Sequence, residues 1–163
     1  MFKTALLALF LAAGTFLGAQ KTFPTPDLIT LDDQPAALSD YIGQGKPTVI
    51  AVWATWCQPC HVELDHMQDM ARRWQEELGV HLLAVSVDKR YQMNRIQPLL
   101  KRKGWDYDVL VDTNGKLQRQ LGFRSIPQMY VLDANGRIVK EYSGYREGRE
   151  TEVDRVVRQL VAK

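Results

Sequence analysis

The stretch Val52-Trp53-Ala54-Thr55-Trp56-Cys57-Gln58-Pro59-Cys60 decides how this chain folds. On its N-terminal side Pro47 opens Thr48-Val49-Ile50-Ala51-Val52-Trp53, a nearly continuous apolar run of the kind that forms a central strand buried on both faces. On its C-terminal side apolar residues recur at Val62, Leu64, Met67, Met70, Trp74 and Leu78, close to helical spacing, with Gly79 as the stop. The two cysteines therefore stand where a buried strand hands over to a helix. There the unpaired backbone N–H groups and the positive end of the helix dipole favour a thiolate on Cys57. A thiolate is the nucleophile of disulfide exchange, and Cys60, one turn on, is close enough to close a small disulfide ring. Pro59 costs the helix little, because an N–H in the first turn has no helical partner. Trp56 flanks the thiol and keeps one side of it apolar.

Outward from this junction the pattern is that of a layered α/β domain with a mixed sheet. Leu28 to Leu31 and Ala36 to Leu38, around Asp32-Asp33-Gln34-Pro35, read as two short strands joined by a turn, and Ser39-Asp40 as the cap of a brief helical turn. Val80 to Val87 reads as a second buried strand, Tyr91 to Lys103 as a helix interrupted near Pro98, Val109 to Val111 as a third strand, and Gly115 to Leu121 as a short helix. Gln128 to Leu132 and Arg137 to Tyr142 flank Ala134-Asn135-Gly136, a hairpin signal. Thr151 is expected to cap a last helix with Val153, Val156, Val157, Leu160 and Val161 along one stripe.

Of the 163 residues, 45% are hydrophobic and 25% charged, which excludes a disordered or repeat-built chain. Lys and Arg number 21 against 19 Asp and Glu, so there is no basic surplus for a nucleic-acid surface. Lys101-Arg102-Lys103 reads as a solvated helix end. Two cysteines make neither a disulfide scaffold nor a four-cysteine zinc site. Cys57, Cys60, His61 and His66 could in principle hold a metal, but the two histidines lie too close on one helix and no distant cysteine completes the set. No metal and no cofactor are expected. His61 is expected to face solvent, with a histidinium that favours the Cys57 thiolate as the alternative, and His66 and His81 to lie at the surface or the sheet edge.

Residues 1–19 carry one charge, Lys3, then the apolar run Ala5 to Ala13 and small residues at Gly14, Gly18 and Ala19. This is the pattern of a secretory signal peptide cut after Ala19, with an uncleaved membrane anchor as the alternative. Residues 20–163 then form one domain in an oxidising compartment.

The segment Trp53 to Cys60, with Glu63 three residues on, resembles the thioredoxin superfamily. Together with Val85-Ser86-Val87-Asp88, Leu121 to Pro127 and Val131 to Val139, it is similar to that superfamily's exported TlpA/ResA-like, redoxin-type branch. The resemblance runs from about residue 24 to residue 163 in unbroken order. It implies a thioredoxin-like fold, a central mixed β-sheet flanked by helices, with an extra N-terminal β-hairpin and a central βα insertion. It implies Cys57 as the attacking and Cys60 as the resolving cysteine, Pro127 as a cis-proline facing the disulfide, and Ile126 as the presenter of backbone groups to an extended substrate; a trans turn proline at Pro127 is the blander alternative. Trp56 and Pro59 complete the expected substrate surface. Glu63 matches an acid credited with proton handling; a helix-start glutamate favoured by the dipole is the plainer reading.

The chain also departs from the pattern. Ala51 stands where thioredoxin keeps a buried acid, Asp65 where a kink-forming proline is usual, and Gln128 where threonine often follows the cis-proline. A peroxidase is not expected, since Thr55 lies two residues before Cys57, not three, and Ile50 takes the upstream proline's place. The expected function is an exported thiol–disulfide oxidoreductase, monomeric, that reduces disulfides in exported proteins such as apocytochromes and is reset by a membrane thiol donor. An oxidase or isomerase with the same cysteines, or a non-enzymatic binding module or metallochaperone, are the alternatives.

Overall fold

The computed structural model describes residues 21–162. At its centre lies β3 (Thr48–Trp53), buried at every residue. Alternation of side chains along a strand sends Val49, Ala51 and Trp53 into one core and Ile50 and Val52 into another. Both faces of the sheet must therefore be covered, as the unbroken apolar run requires.

The elements before β3 are β1 (Asp27–Ile29) and β2 (Pro35–Ala37), an antiparallel hairpin, followed by a 3-10 turn at Leu38–Asp40. After β3 come α1 (Gln58–Arg73), β4 (His81–Ser86), a 3-10 segment (Arg90–Arg95) running into α2 (Ile96–Lys103), and β5 (Asp108–Val111). Then follow α3 (Lys116–Leu121), β6 (Gln128–Leu132), β7 (Ile138–Ser143) and α4 (Arg149–Val161). They form one seven-stranded sheet in the order β2-β1-β5-β4-β3-β6-β7. β3 runs parallel to β4 and antiparallel to β6, so the sheet is mixed. The expected N-terminal hairpin is the β1–β2 edge, and the expected central insertion is the stretch from the 3-10 segment to β5.

The core on the Trp53 face takes Leu64 and Met67 from α1, Trp74 from the turn that follows it, Ile96, Leu99 and Leu100 from α2, and Val153 and Val157 from α4. The opposite core takes Leu117 of α3 with Phe23, Leu28, Leu38 and Ile42. The apolar stripe of α4 is buried at Val153 and Val157 only; Val161 is exposed. Asp112 shapes the start of α3, its carboxylate accepting from the Lys116 and Gln118 amides at 2.7 and 3.2 Å. In the β6–β7 turn, Asp133 accepts from the amides of Asn135 and Arg137, both at 2.9 Å, and Gly136 takes the left-handed φ of +75° that the turn needs.

Four expectations are corrected in detail. α1 is regular only to Arg73; Trp74–Leu78 is a π-helical turn, closed by Gly79 at φ +63°. Trp74 is held there, fully buried, with its indole N–H donating to Asp154 of α4 at 2.8 Å. The break between Tyr91 and Lys103 falls before Ile96, which puts Pro98 in the first turn of α2, where its missing N–H is harmless. Thr151 caps nothing: α4 starts two residues earlier, at Arg149 after Gly148, because the Arg149 side chain turns inward. Asp65, at the absent proline's place, accepts from the Trp105 indole at 3.0 Å and the Lys103 ammonium at 2.6 Å, and α1 passes through it without a break. Of the end of α2 expected to be solvated, Lys101 and Arg102 are exposed, whereas Lys103 is bound to α1. Residues 1–19, the expected signal peptide, lie outside the described residues; among those described, no helix is long and apolar enough to cross a membrane.

The turn between β3 and α1 is tied to the sheet by Asp88, which is fully buried. Its carboxylate accepts from the Thr55 amide at 2.8 Å, the Thr55 hydroxyl at 2.7 Å and the Ser86 hydroxyl at 2.7 Å. Replacing Asp88 by Ala strands these donors, and the expected loss of unfolding free energy is about 2–4 kcal/mol. Urea denaturation with an unchanged m-value checks this, and a loss below about 0.5 kcal/mol would refute the role given to Asp88.

Candidate active site

Cys57 is the N-cap residue of α1 and is bonded to Cys60 as a disulfide, with the two Cα atoms 5.3 Å apart. The chain leaves β3 at Trp53, and the Cys57 amide closes the turn by donating to the Ala54 carbonyl at 3.1 Å. The Cys57 sulfur accepts from the Cys60 amide at 3.3 Å, which is how a helix N-terminus stabilises negative charge on that atom. Cys57 keeps 5% of its surface exposed and Cys60 none. Of the two cysteines, Cys57 is the one that borders the open surface.

A cleft of about 560 Å³ opens beside Cys57, lined by Trp56, Gln58, Pro59, Val87 and Ile126 among others. Trp56 is 59% exposed on its rim. Two cations, Lys89 and Arg124, line the same cleft with no carboxylate among its lining residues, and neither forms an ion pair among the described residues. The Ile126–Pro127 peptide is cis. The Pro127 carbonyl accepts from the Gly144 amide at 2.9 Å. Gln128, the departure from threonine, is buried and donates to the Ser125 carbonyl at 2.9 Å and the Ser143 hydroxyl at 2.8 Å. Its amide braces the turn before Pro127 from inside.

Glu63 is 3% exposed and faces Arg149 of α4, Oε1 to Nη1 at 3.3 Å. Burial pushes its carboxyl up to about 7, against the pull of Arg149 in the other direction. Glu63 thus stands in the first turns of α1 as a buried carboxyl, with Arg149 as its ion-pair partner. Ala51 is buried in β3, so no acid stands in the strand below the disulfide.

His61 corrects an expectation. It does not face solvent: it is buried between the Trp53 and Trp105 rings, at centroid distances of 6.2 and 5.8 Å, with Nε2 3.3 Å from the Ala54 carbonyl. Burial lowers its pKa from the ordinary 6.5, so near neutral pH it is an uncharged imidazole and offers Cys57 no positive charge. Its role is to fill the space under the turn. His66 is exposed beside Tyr145, and His81 is exposed at the start of β4. Among the described residues no three His, Cys, Asp or Glu side chains group so as to hold a metal.

Two residues of the site were missed from the sequence. Asp88 was noted only as part of a motif, although a carboxylate at the end of an apolar strand is itself a sign of a buried partner. Arg149 carries no such sign, lying in the charged segment Arg146-Glu147-Gly148-Arg149-Glu150.

The AhpC/TSA family model matches residues 19–141. The thiol-disulfide oxidoreductase ResA of Geobacillus thermodenitrificans is 27% identical over 156 residues, covering 88% of this chain and 87% of that protein. The thiol:disulfide interchange protein DsbE of Haemophilus influenzae is 27% identical over 125 residues, covering 76% of this chain and 65% of that protein. A thioredoxin-like protein of Porphyromonas gingivalis, solved in solution, superposes with a TM-score of 0.74 at 37% identity, over 86% of this chain and 92% of that one. With its sheet order, its cysteine pair at the head of α1 and these likenesses, the chain belongs to the AhpC/TSA family as a thioredoxin-fold thiol–disulfide oxidoreductase.

Proposed function

We propose that the chain works outside the cytoplasm as a reductant of disulfides in exported proteins, apocytochromes among them, and is itself reset by a membrane thiol donor. The observation that carries this reading is the unequal placement of the two cysteines at the head of α1: Cys57 is 5% exposed and lines the cleft, whereas Cys60 is fully buried and does not. In the reduced protein the Cys57 thiolate attacks a partner's disulfide and forms a mixed disulfide. Cys60 then displaces the reduced partner, and the chain is left with the Cys57–Cys60 bond. Glu63 takes the Cys60 proton: it lies one turn further along the same helix, and a carboxyl near 7 exchanges protons at neutral pH. Trp56, Pro59 and Ile126, which line the cleft, bind the extended segment that carries the partner's disulfide, the buried Pro127 behind Ile126 sets the cis turn, and Lys89 and Arg124 bias that segment toward acidic residues.

Equilibration in defined thiol buffers, followed by tryptophan fluorescence, is expected to give a reduction potential at or below about −230 mV. A value between about −180 and −120 mV would reverse the direction of electron flow, and no reversible transition would end the oxidoreductase reading for this dithiol. A Cys60→Ser protein is expected to stop at the mixed disulfide and to retain exported dithiol proteins on Cys57; a trap that holds none of them removes the partner assignment.

A peptide disulfide flanked by Asp and Glu is expected to react about tenfold faster than one flanked by Lys at low salt. In the Lys89→Glu/Arg124→Glu protein the preference should be lost. Equal rates with the unaltered protein would show that the cleft does not select by charge.

Glu63 holds its proton more tightly folded, near 7, than unfolded, near 4.5. Folding is therefore most favoured while the group is protonated in both states, and that advantage is lost as pH climbs from about 4.5 to 7. The unaltered protein should lose roughly 2–3 kcal/mol more across this window than Glu63→Gln does. Parallel curves from urea denaturation at a series of pH values would contradict the raised carboxyl.

A further inference from the structure

Arg149 occupies the first position of α4 in a segment of alternating charges, where a solvated side chain is the ordinary outcome. Its side chain is instead 8% exposed and points inward. One nitrogen, Nη1, donates to Glu63 Oε1 at 3.3 Å and also to the Gly144 carbonyl. The guanidinium carbon lies 5.2 Å from the centroid of the Tyr142 ring, and Nε is buried with no partner among the described residues. Gly144 in turn donates its amide to the Pro127 carbonyl at 2.9 Å. A single guanidinium thus touches the helix that bears Cys60 and the strand end that holds the Ile126–Pro127 turn.

Stability is a poor reason for this arrangement. A buried N–H without a partner costs free energy, and an apolar side chain of similar volume commonly serves a buried ion-pair site as well or better. Charge and position at Glu63 are what an apolar replacement would not supply.

Resting on the reading of Glu63 as proton acceptor, we propose that Arg149 is the positioning residue of the resolving step, holding the Glu63 carboxylate in one place on α1 and coupling that place to the substrate-binding turn. In that step the Cys60 thiol gives its proton to the Glu63 carboxylate. The Cys60 sulfur bonds to Cys57 as the bond from Cys57 to the partner's sulfur breaks, and the electron pair leaves on the partner's thiolate. Two electrons pass from the dithiol to the partner, and the proton on Glu63 returns through solvent to the departing thiolate.

Few groups compete for this control. Arg149 faces Glu63 from α4. Tyr145, from the segment before α4, has its hydroxyl pushed up by desolvation and by the charges of Glu147, Glu150 and Glu63. Tyr145 also contacts His66 of α1 at 3.3 Å, and Tyr142 of β7 feels Glu152, Arg149, Arg146 and Arg155. On α1 itself Cys60 precedes Glu63 by one turn. Burial pushes the carboxyl up and Arg149 is the one opposing cause, so removing the guanidinium leaves the upward push alone.

The test follows the Glu63 carboxyl directly, by carbon NMR of protein labelled at glutamate and assigned through Glu63→Gln, in unaltered protein, Arg149→Lys and Arg149→Gln. Stopped-flow resolution of a mixed disulfide with a model peptide is measured over the same pH range. In Arg149→Gln the carboxyl midpoint should rise by about one pH unit or more, and the pH profile of resolution should move alkaline with it. Arg149→Lys should restore most of both. Circular dichroism identifies which variants fold; where Arg149→Gln does not, Arg149→Met takes its place. A folded, uncharged variant with midpoint and profile unchanged overturns the proposal alone. A profile unchanged in Glu63→Gln overturns the acceptor reading, and the proposal with it, whatever the NMR midpoint does.

Discussion

Strand β3 is buried on both faces along its whole length, and the site hangs from its C-terminal end. Because alternate residues enter two separate cores, the strand has no free face on which to shift, and a slip by one residue would exchange the contents of the cores. The point at which the chain leaves the sheet is thereby fixed at Trp53. From there the Ala54–Trp56 turn has one task, to bring Cys57 to the head of α1. Asp88 holds that turn from the adjacent strand through two bonds to Thr55. The geometry that makes Cys57 a helix cap is thus set by the packing of β3 and the bonds of Asp88, with both cysteines seated in the core on the Trp53 face.

The elements of the fold were legible where one segment carries its own signal. The apolar run of β3, the helical spacing after Pro59 and the Asp133–Arg137 turn are local patterns, and their elements stand where the patterns put them. The cysteine pair was legible for the same reason, since strand, turn and helix start are contiguous. Element ends were less legible. At the π-helical end of α1 Trp74 meets Asp154, and at the start of α4 Arg149 meets Glu63, contacts between residues 80 and 86 positions apart.

The same distinction separates the site residues that could be read from those that could not. The solvent-facing His61 was a misreading because its cover comes from Trp105, which reaches α1 from the α2–β5 connection and is itself anchored on Asp65. Glu63 could be placed on the correct helix, but not its environment. Its burial and its partner are made by a helix at the far end of the chain, and nothing in the local sequence distinguishes Arg149 from its exposed neighbours.

A carboxyl buried beside a dithiol faces two opposed demands. Left alone among apolar groups it would stay protonated at neutral pH and could accept nothing; fully neutralised by a close, many-bonded arginine it would stay charged and hold no proton. The observed contact lies between these limits. Arg149 reaches Glu63 with one nitrogen at 3.3 Å while sharing that nitrogen with the Gly144 carbonyl. Its Nε goes without a partner among the described residues, so the pair lacks the two parallel bonds that make such ion pairs strongest. A carboxyl poised near 7 is what an incomplete pair in a buried place produces. On the proposed reading of Glu63 as proton acceptor, the imperfection of the pair, more than its presence, is what would suit it to move a proton.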